Sequence, residues 1–141
     1  VGGEVASTLA QHYAWTSTGR YSGVWWVRAQ TREQIACDIV ALGERLIEDL
    51  DALPDRTAMA GAALEEIART GADKPWLLVY DDADGPAALE GLVPASGAHV
   101  IATSRRTDWD GAATAIPVGV LPHVEAVAYL QAHAHKPDAA A

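Results

Sequence analysis

Phenylalanine is absent from this chain, cysteine and methionine occur once each, and acidic residues outnumber basic ones by 19 to 10. A lone Cys37 excludes an internal disulfide and is the usage expected of a reducing, cytoplasmic compartment. The formal net charge of -9 argues against duplex DNA or RNA as a partner, because such surfaces concentrate positive charge and the only close basic pair is Arg105-Arg106. No apolar run approaches the roughly 18 residues of a membrane span, and no basic-then-apolar leader is present. No G-x-S-x-G elbow occurs, and Ser22-Gly23 and Ser96-Gly97 fall in loops, which sets aside a Ser-His-Asp hydrolase. His99, His123, His133 and His135 lack the spacing of a metal site and read as partly exposed surface residues.

What remains is an ordinary globular composition. Half of the 141 residues are hydrophobic and 21% are charged, with five Trp and four Tyr in place of Phe. The length fits one domain, residues 1–141, and the Val-Gly-Gly start without an initiator Met reads as a piece of a longer protein.

Helical and strand patterns alternate along the chain. Thr8 to Ala14 reads as a short helix directly behind Gly2 and Gly3. Val24 to Val27 is a continuous apolar run, as in a strand buried on both faces. Thr31 to Gln34 has capping-box spacing, and Ile35, Ile39, Leu42, Leu46 and Leu50 then recur at helical steps, predicting a helix over about 32–50. Met59, Ala63, Leu64 and Ile67 continue with helical period to Gly71, read as a left-handed cap. WLLVYDD, after Lys74-Pro75, reads as a buried strand with carboxylates at its tip; Pro86 opens a short helix, Ala87 to Gly91. HVIATSRR is a third apolar strand, residues 115–120 a weaker one broken by Pro117, and Pro122 to His135 a closing helix.

This alternation predicts an α/β fold with an open parallel sheet. Ligands bind such sheets at the carboxyl ends of the strands, so Asp81, Asp82, Thr103, Ser104 and Arg105 would share one rim.

Four features stand in order: a Gly-rich turn into a helix, a strand ending Trp-Val-Arg, a strand ending Asp-Asp, and a strand ending Thr-Ser-Arg. With the final IPVGVLPHVEA they form the segments GGEVASTLA, GVWWVRA, WLLVYDDAD and HVIATSRR, spanning nearly the whole chain. This order resembles the nucleotide-binding domain of the NB-ARC class of STAND P-loop ATPases, especially members that precede tetratricopeptide repeats. The resemblance implies a three-layer P-loop NTPase-like sheet with helices on both faces, truncated at its N-terminus. It further implies a regulatory switch domain of a signalling ATPase that binds ATP or ADP with magnesium, and contacts with other domains of a full-length protein.

Carried over residue by residue, the resemblance puts Gly2, Gly3, Ser7, Thr8 and Asp81 on the nucleotide, with Ser7 and Asp81 on magnesium. Asp82 would polarise the attacking water and Arg105 would read the terminal phosphate. Val5 and Ala6 stand where the family has glycine and lysine, and Glu4 adds negative charge, so weak or absent nucleotide binding and little hydrolysis are expected. Simpler roles stay open: the aspartates as caps of a turn, and Arg105 or Arg106 as surface residues paired with Asp108 or Asp110. A non-catalytic α/β interaction or oligomerisation module is the alternative function. A receiver or flavodoxin-like domain would require an N-terminal strand, which the sequence does not offer.

In the family the strand that leads into the P-loop lies between the sensor strand and the last strand. Without it, either the last strand closes onto the sensor strand or a second copy covers the exposed edge as a homo-oligomer.

Overall fold

The computed structural model describes residues 2–106 and 109, with side chains from residue 6 onward. Its elements are α1 (Gly2–Thr16), β1 (Val24–Arg28), α2 (Arg32–Leu46), α3 (Arg56–Thr70), β2 (Trp76–Asp81), α4 (Pro86–Leu89) and β3 (Ala98–Ala102), with short 3-10 turns at Thr18–Arg20 and Leu50–Ala52. The chain is α/β. Its three strands pair in parallel in the order β1-β2-β3, with Val24 opposite Leu77 and Trp76 opposite Ala98.

Alternation along the strands sorts the core into two layers. Val27, Leu78, Tyr80 and Val100 point to one face, where they meet Ile35 and Ile39 of α2 and Ala63 and Ile67 of α3. Leu77 and Val79 point to the other, against Ala10, Tyr13 and Ala14 of α1 and Tyr21 of the following loop. Helices therefore cover both faces, as the continuous apolar runs predict. Leu77 to Tyr80 are fully buried, and each such aliphatic side chain contributes about 1.5–3 kcal/mol. The buried Tyr80 hydroxyl is satisfied by donating to the Leu92 carbonyl at 2.7 Å, and burial pushes its phenol well above the ordinary value.

The helix signals work at their starts. Thr31 Oγ1 accepts from Gln34 N at 3.1 Å at the head of α2, and Asp55 Oδ1 accepts from Ala58 N at 2.8 Å at the head of α3.

Three expectations are corrected. Helix α2 stops at Leu46, not about residue 50, because Ile47 is extended and Asp49 turns left-handed at φ 60°. Leu50 still reaches the core, at 3% exposure, by the chain folding back and not by further helical turns. Gly71 is not left-handed (φ -89°). It is small because its Cα side abuts the Gly97 carbonyl, where any Cβ would collide. Helix α4 starts at Pro86 and ends at Leu89, shorter than expected and one residue early. The strand at 115–120 and the helix at 122–135 lie outside the described residues.

Gly97 leads into β3 with φ +75°, and a Cβ there would sit 2.5 Å from the Ala68 carbonyl oxygen. Gly97→Ala is expected to destabilise the fold by about 2–4 kcal/mol, read as a lowered urea midpoint with unchanged slope.

Candidate functional site at the carboxyl rim of the sheet

The parallel sheet brings the ends of β1, β2 and β3 to one rim. Asp81 closes β2, and its half-buried carboxylate is reached from two directions. Ser7 Oγ, on α1, donates to Asp81 Oδ1 at 2.5 Å across 74 residues of sequence. Thr103 Oγ1, just past β3, donates to the same oxygen at 2.8 Å. Both hydroxyls reach Oδ1, and among the described residues no hydrogen bond engages Oδ2.

Thr103 is the centre of this arrangement and is 5% exposed. Besides donating to Asp81, its hydroxyl accepts from Asp82 N at 2.7 Å. Its own N–H donates to the Tyr80 carbonyl and its carbonyl accepts from Ala83 N. Ser104 Oγ donates to the Ala83 carbonyl at 2.7 Å and accepts from Arg106 N at 3.1 Å. The loop after β2 is thus laced to the loop after β3.

Asp82 is held in the left-handed region at φ 59°, which an aspartate tolerates better than most residues but at a cost of roughly 1–2 kcal/mol. The lacing through Thr103 offsets that cost, and Gln30 Nε2 fixes the side chain by donating to Oδ2 at 2.6 Å. On the β1 side, Arg28 donates to Asp38 of α2 from Nε (3.0 Å), Nη2 (2.9 Å) and its own backbone N (2.8 Å). Burial pushes the Asp38 carboxyl up, but the Arg28 hydrogen bonds and charge outweigh it and hold the group below its ordinary value.

Of the residues singled out from sequence, Ser7, Asp81, Asp82, Thr103 and Ser104 are brought together. Arg105 follows directly and is exposed, and Thr8 is exposed on α1. Gly2 and Gly3 are corrected: they are not a loop ahead of a helix but its first residues, since α1 runs unbroken from Gly2 to Thr16. The low helix propensity of two glycines is overridden by the run of helix formers behind them. Sequence reasoning missed the roles of Gln30 and Asp38. Asp38 carried a readable sign, a carboxylate directly before the core residue Ile39; Gln30 carried none.

The oxygens of Asp81 and Ser7 are hard donors suited to magnesium, which takes one or two carboxylates and keeps several waters. The phosphate-cradling half fits only in part. The N–H groups of Gly2 to Glu4 in the first turn are not spent within the helix, but those from Val5 onward are, and neither Val5 nor Ala6 supplies a lysine charge. Among the described residues no three His, Cys, Asp or Glu side chains gather as a metal cluster, and no helix is long and apolar enough to cross a membrane.

Comparison with family models, curated proteins and solved structures finds no match. The rim is therefore tested on its own chemistry. Thr103→Val keeps the shape, strands the Asp82 N–H and removes a donor from Asp81; an expected loss of about 1–3 kcal/mol is read by urea unfolding. For Asp38 the folded value is depressed, so its stabilisation is present above the ordinary carboxylate range and is lost as pH falls through the folded value. Arg28→Ala is expected to flatten that acid limb in thermal melts taken from neutral pH downward.

Proposed function

We propose that this chain is the switch region of a STAND-type signalling ATPase with a three-layer P-loop NTPase-like fold, keeping the metal and sensor rim but not a working phosphate loop. The observation that carries the proposal is the 2.5 Å hydrogen bond between Ser7 and Asp81. These two residues match the family's magnesium-binding hydroxyl and carboxylate, and they are 74 positions apart. A chance likeness of short motifs gives no reason for them to meet at the carboxyl rim of a parallel sheet.

In this reading magnesium, when bound, supplies charge neutralisation at a nucleotide's phosphates. Asp81 and Ser7 hold the metal and its water shell. Asp82, turned left-handed and steadied by Gln30, orients a water, and the exposed Arg105 offers a bidentate guanidinium to phosphate oxygens. Gly2, Gly3 and Thr8 belong to the same helix as Ser7, and in this reading the first-turn backbone and the Thr8 hydroxyl would face the nucleotide. ATP and ADP bind weakly, and turnover is low or nil, because positioning and charge neutralisation are most of phosphoryl-transfer catalysis. The helical course of Gly2 to Ala6 favours a second reading, a scaffold for interaction with other domains that has lost nucleotide binding.

Calorimetric titration with ATP and ADP, with and without magnesium, separates the two. The switch reading expects magnesium-dependent binding in the millimolar range, about -4 kcal/mol, abolished by Asp81→Ala. The double substitution Val5→Gly with Ala6→Lys is expected to tighten it at least about tenfold. A stably folded protein that binds neither nucleotide, before or after that double substitution, overturns the switch reading in favour of the scaffold.

A further inference from the structure

The segment that follows β2 has little support of its own. Asp82 and Gly85 both take positive φ, 59° and 93°, and only the second is a glycine. Helix α4, four residues long, closes one weak turn, in which Ala88 N donates to the Gly85 carbonyl and Glu90 N to the Ala87 carbonyl, each at 3.3 Å. Its C-terminal carbonyls must be satisfied from outside the helix.

Arg32, the first residue of α2, supplies that partner. Its Nη1 donates to the carbonyls of Ala87 at 3.2 Å, Ala88 at 3.3 Å and Glu90 at 2.8 Å. Two N–H groups are shared over three carbonyls, at a helix end whose partial negative charge favours a cation. Two positions earlier, Gln30 donates to Asp82 at the other end of the same segment, and between them Thr31 caps α2. The head of α2 thus grips the segment twice. A merely solvated arginine, in a chain with 19 acidic residues, would sit with a carboxylate. Among the described residues the ion pairs are Arg28–Asp38 and Arg69–Glu66, and Arg32 is committed to carbonyls instead.

We infer that Arg32 is a positioning residue of the rim: by tying α4 to the head of α2 it keeps Gln30 within reach of Asp82 and so holds the left-handed turn at Asp82. A sparsely populated backbone angle persists where its surroundings over-determine it. Thr103 and Ser104 hold the chain as far as Ala83, and Leu89 and the Leu92 carbonyl anchor the far side of α4 to the core. Neither set of contacts joins this segment to α2. The exposed Gln30–Asp82 hydrogen bond would do so alone, and a lone exposed bond is easily lost; Arg32 adds a second tie between the same two segments. What Asp82 does at the rim, orienting a water, rests on the nucleotide reading; how Asp82 is held does not.

Carbon-13 chemical shifts of Asp82 Cα and Cβ, which report the left-handed backbone, test this in the full chain, beside phosphate release from ATP with magnesium. Arg32→Met keeps the aliphatic stem and removes the donors. It is expected to move both Asp82 shifts toward ordinary values and to slow phosphate release at saturating ATP at least about fivefold, with the half-saturating ATP concentration unchanged. Arg32→Lys, a point charge without the planar fork, is expected to lie between. Arg45→Met removes the guanidinium that rests on Trp25 in the last turn of the same helix, and is expected to change neither readout. Asp82 shifts that stay at their wild-type values in Arg32→Met overturn the inference, as do shifts that move equally in Arg45→Met. Moved shifts with an unchanged rate overturn it as well. Where the wild-type chain releases no phosphate, the Asp82 shifts alone decide, and the nucleotide reading stands or falls on the calorimetric titration. Should Arg32→Met fail to fold, Arg32→Lys decides: displaced Asp82 shifts support the inference and wild-type shifts overturn it.

Discussion

Everything in this molecule is arranged around keeping β2 dry. Leu77 to Tyr80 have no exposed surface, and strand alternation sends two of them to each face, so each face requires a cover. Helices α2 and α3 supply one cover and α1 the other, while β1 and β3 complete the backbone hydrogen bonds on either side. Being central has a consequence for chemistry. The residue at the end of β2, Asp81, is met by Ser7 of the covering helix α1, by Thr103 just past β3 and, at its carbonyl, by the Ala29 N–H just past β1.

Much of this was legible in the sequence because burial on both faces writes a simple pattern. WLLVY is a continuous apolar run whose Leu77 to Tyr80 are fully buried, VWWV is one in which Val27 is buried and Val24 to Trp26 are half-buried, and Ile35, Ile39, Leu42 and Ala63, Ile67 keep helical period against one face, with Met59 and Leu64 of the expected α3 series half-buried. The failures share a cause: periodicity says that a side chain is buried, not how the backbone gets it there. Leu50 continues the period of α2, yet the chain leaves the helix at Ile47 and returns Leu50 to the core through a turn. Gly71 does cap α3, its N–H donating to the Ile67 carbonyl, but without the expected left-handed angle, and its smallness serves the approach of the Gly97 carbonyl, a contact between distant segments that local sequence does not encode.

The site divides along the same line. That Asp81, Asp82, Thr103 and Ser104 share a rim follows from parallel strand direction alone, and the structure places them there. That Thr103 rather than either aspartate organises the rim does not follow, because its hydroxyl acts as donor and acceptor in one place and only the register of β3 against β2 brings both partners within 2.8 Å. Gln30 was invisible for a related reason. Its partner Asp82 points where it does because of a left-handed backbone angle, and nothing in VRAQT announces that turn.

The first helix changes what the rim depends on. Were Gly2 to Ser7 a loop, its amide groups would be the natural anion-binding feature, and the carboxylates would be accessory to it. As α1 instead runs from Gly2, the amides of Val5 to Ser7 are committed inside the helix, those of Gly2 to Glu4 in the first turn are not, and much of the rim's chemistry passes to side chains. Two hydroxyls hold one oxygen of Asp81, a backbone strain sets Asp82, and an exposed Arg105 follows Ser104 in the chain. Such a set is suited to a hard cation with its waters, and an anion is then bound through the cation more than through the protein. In the proposed reading a nucleotide would be held most strongly where metal and ligand arrive together, so magnesium dependence, more than affinity, is the signature that reading expects.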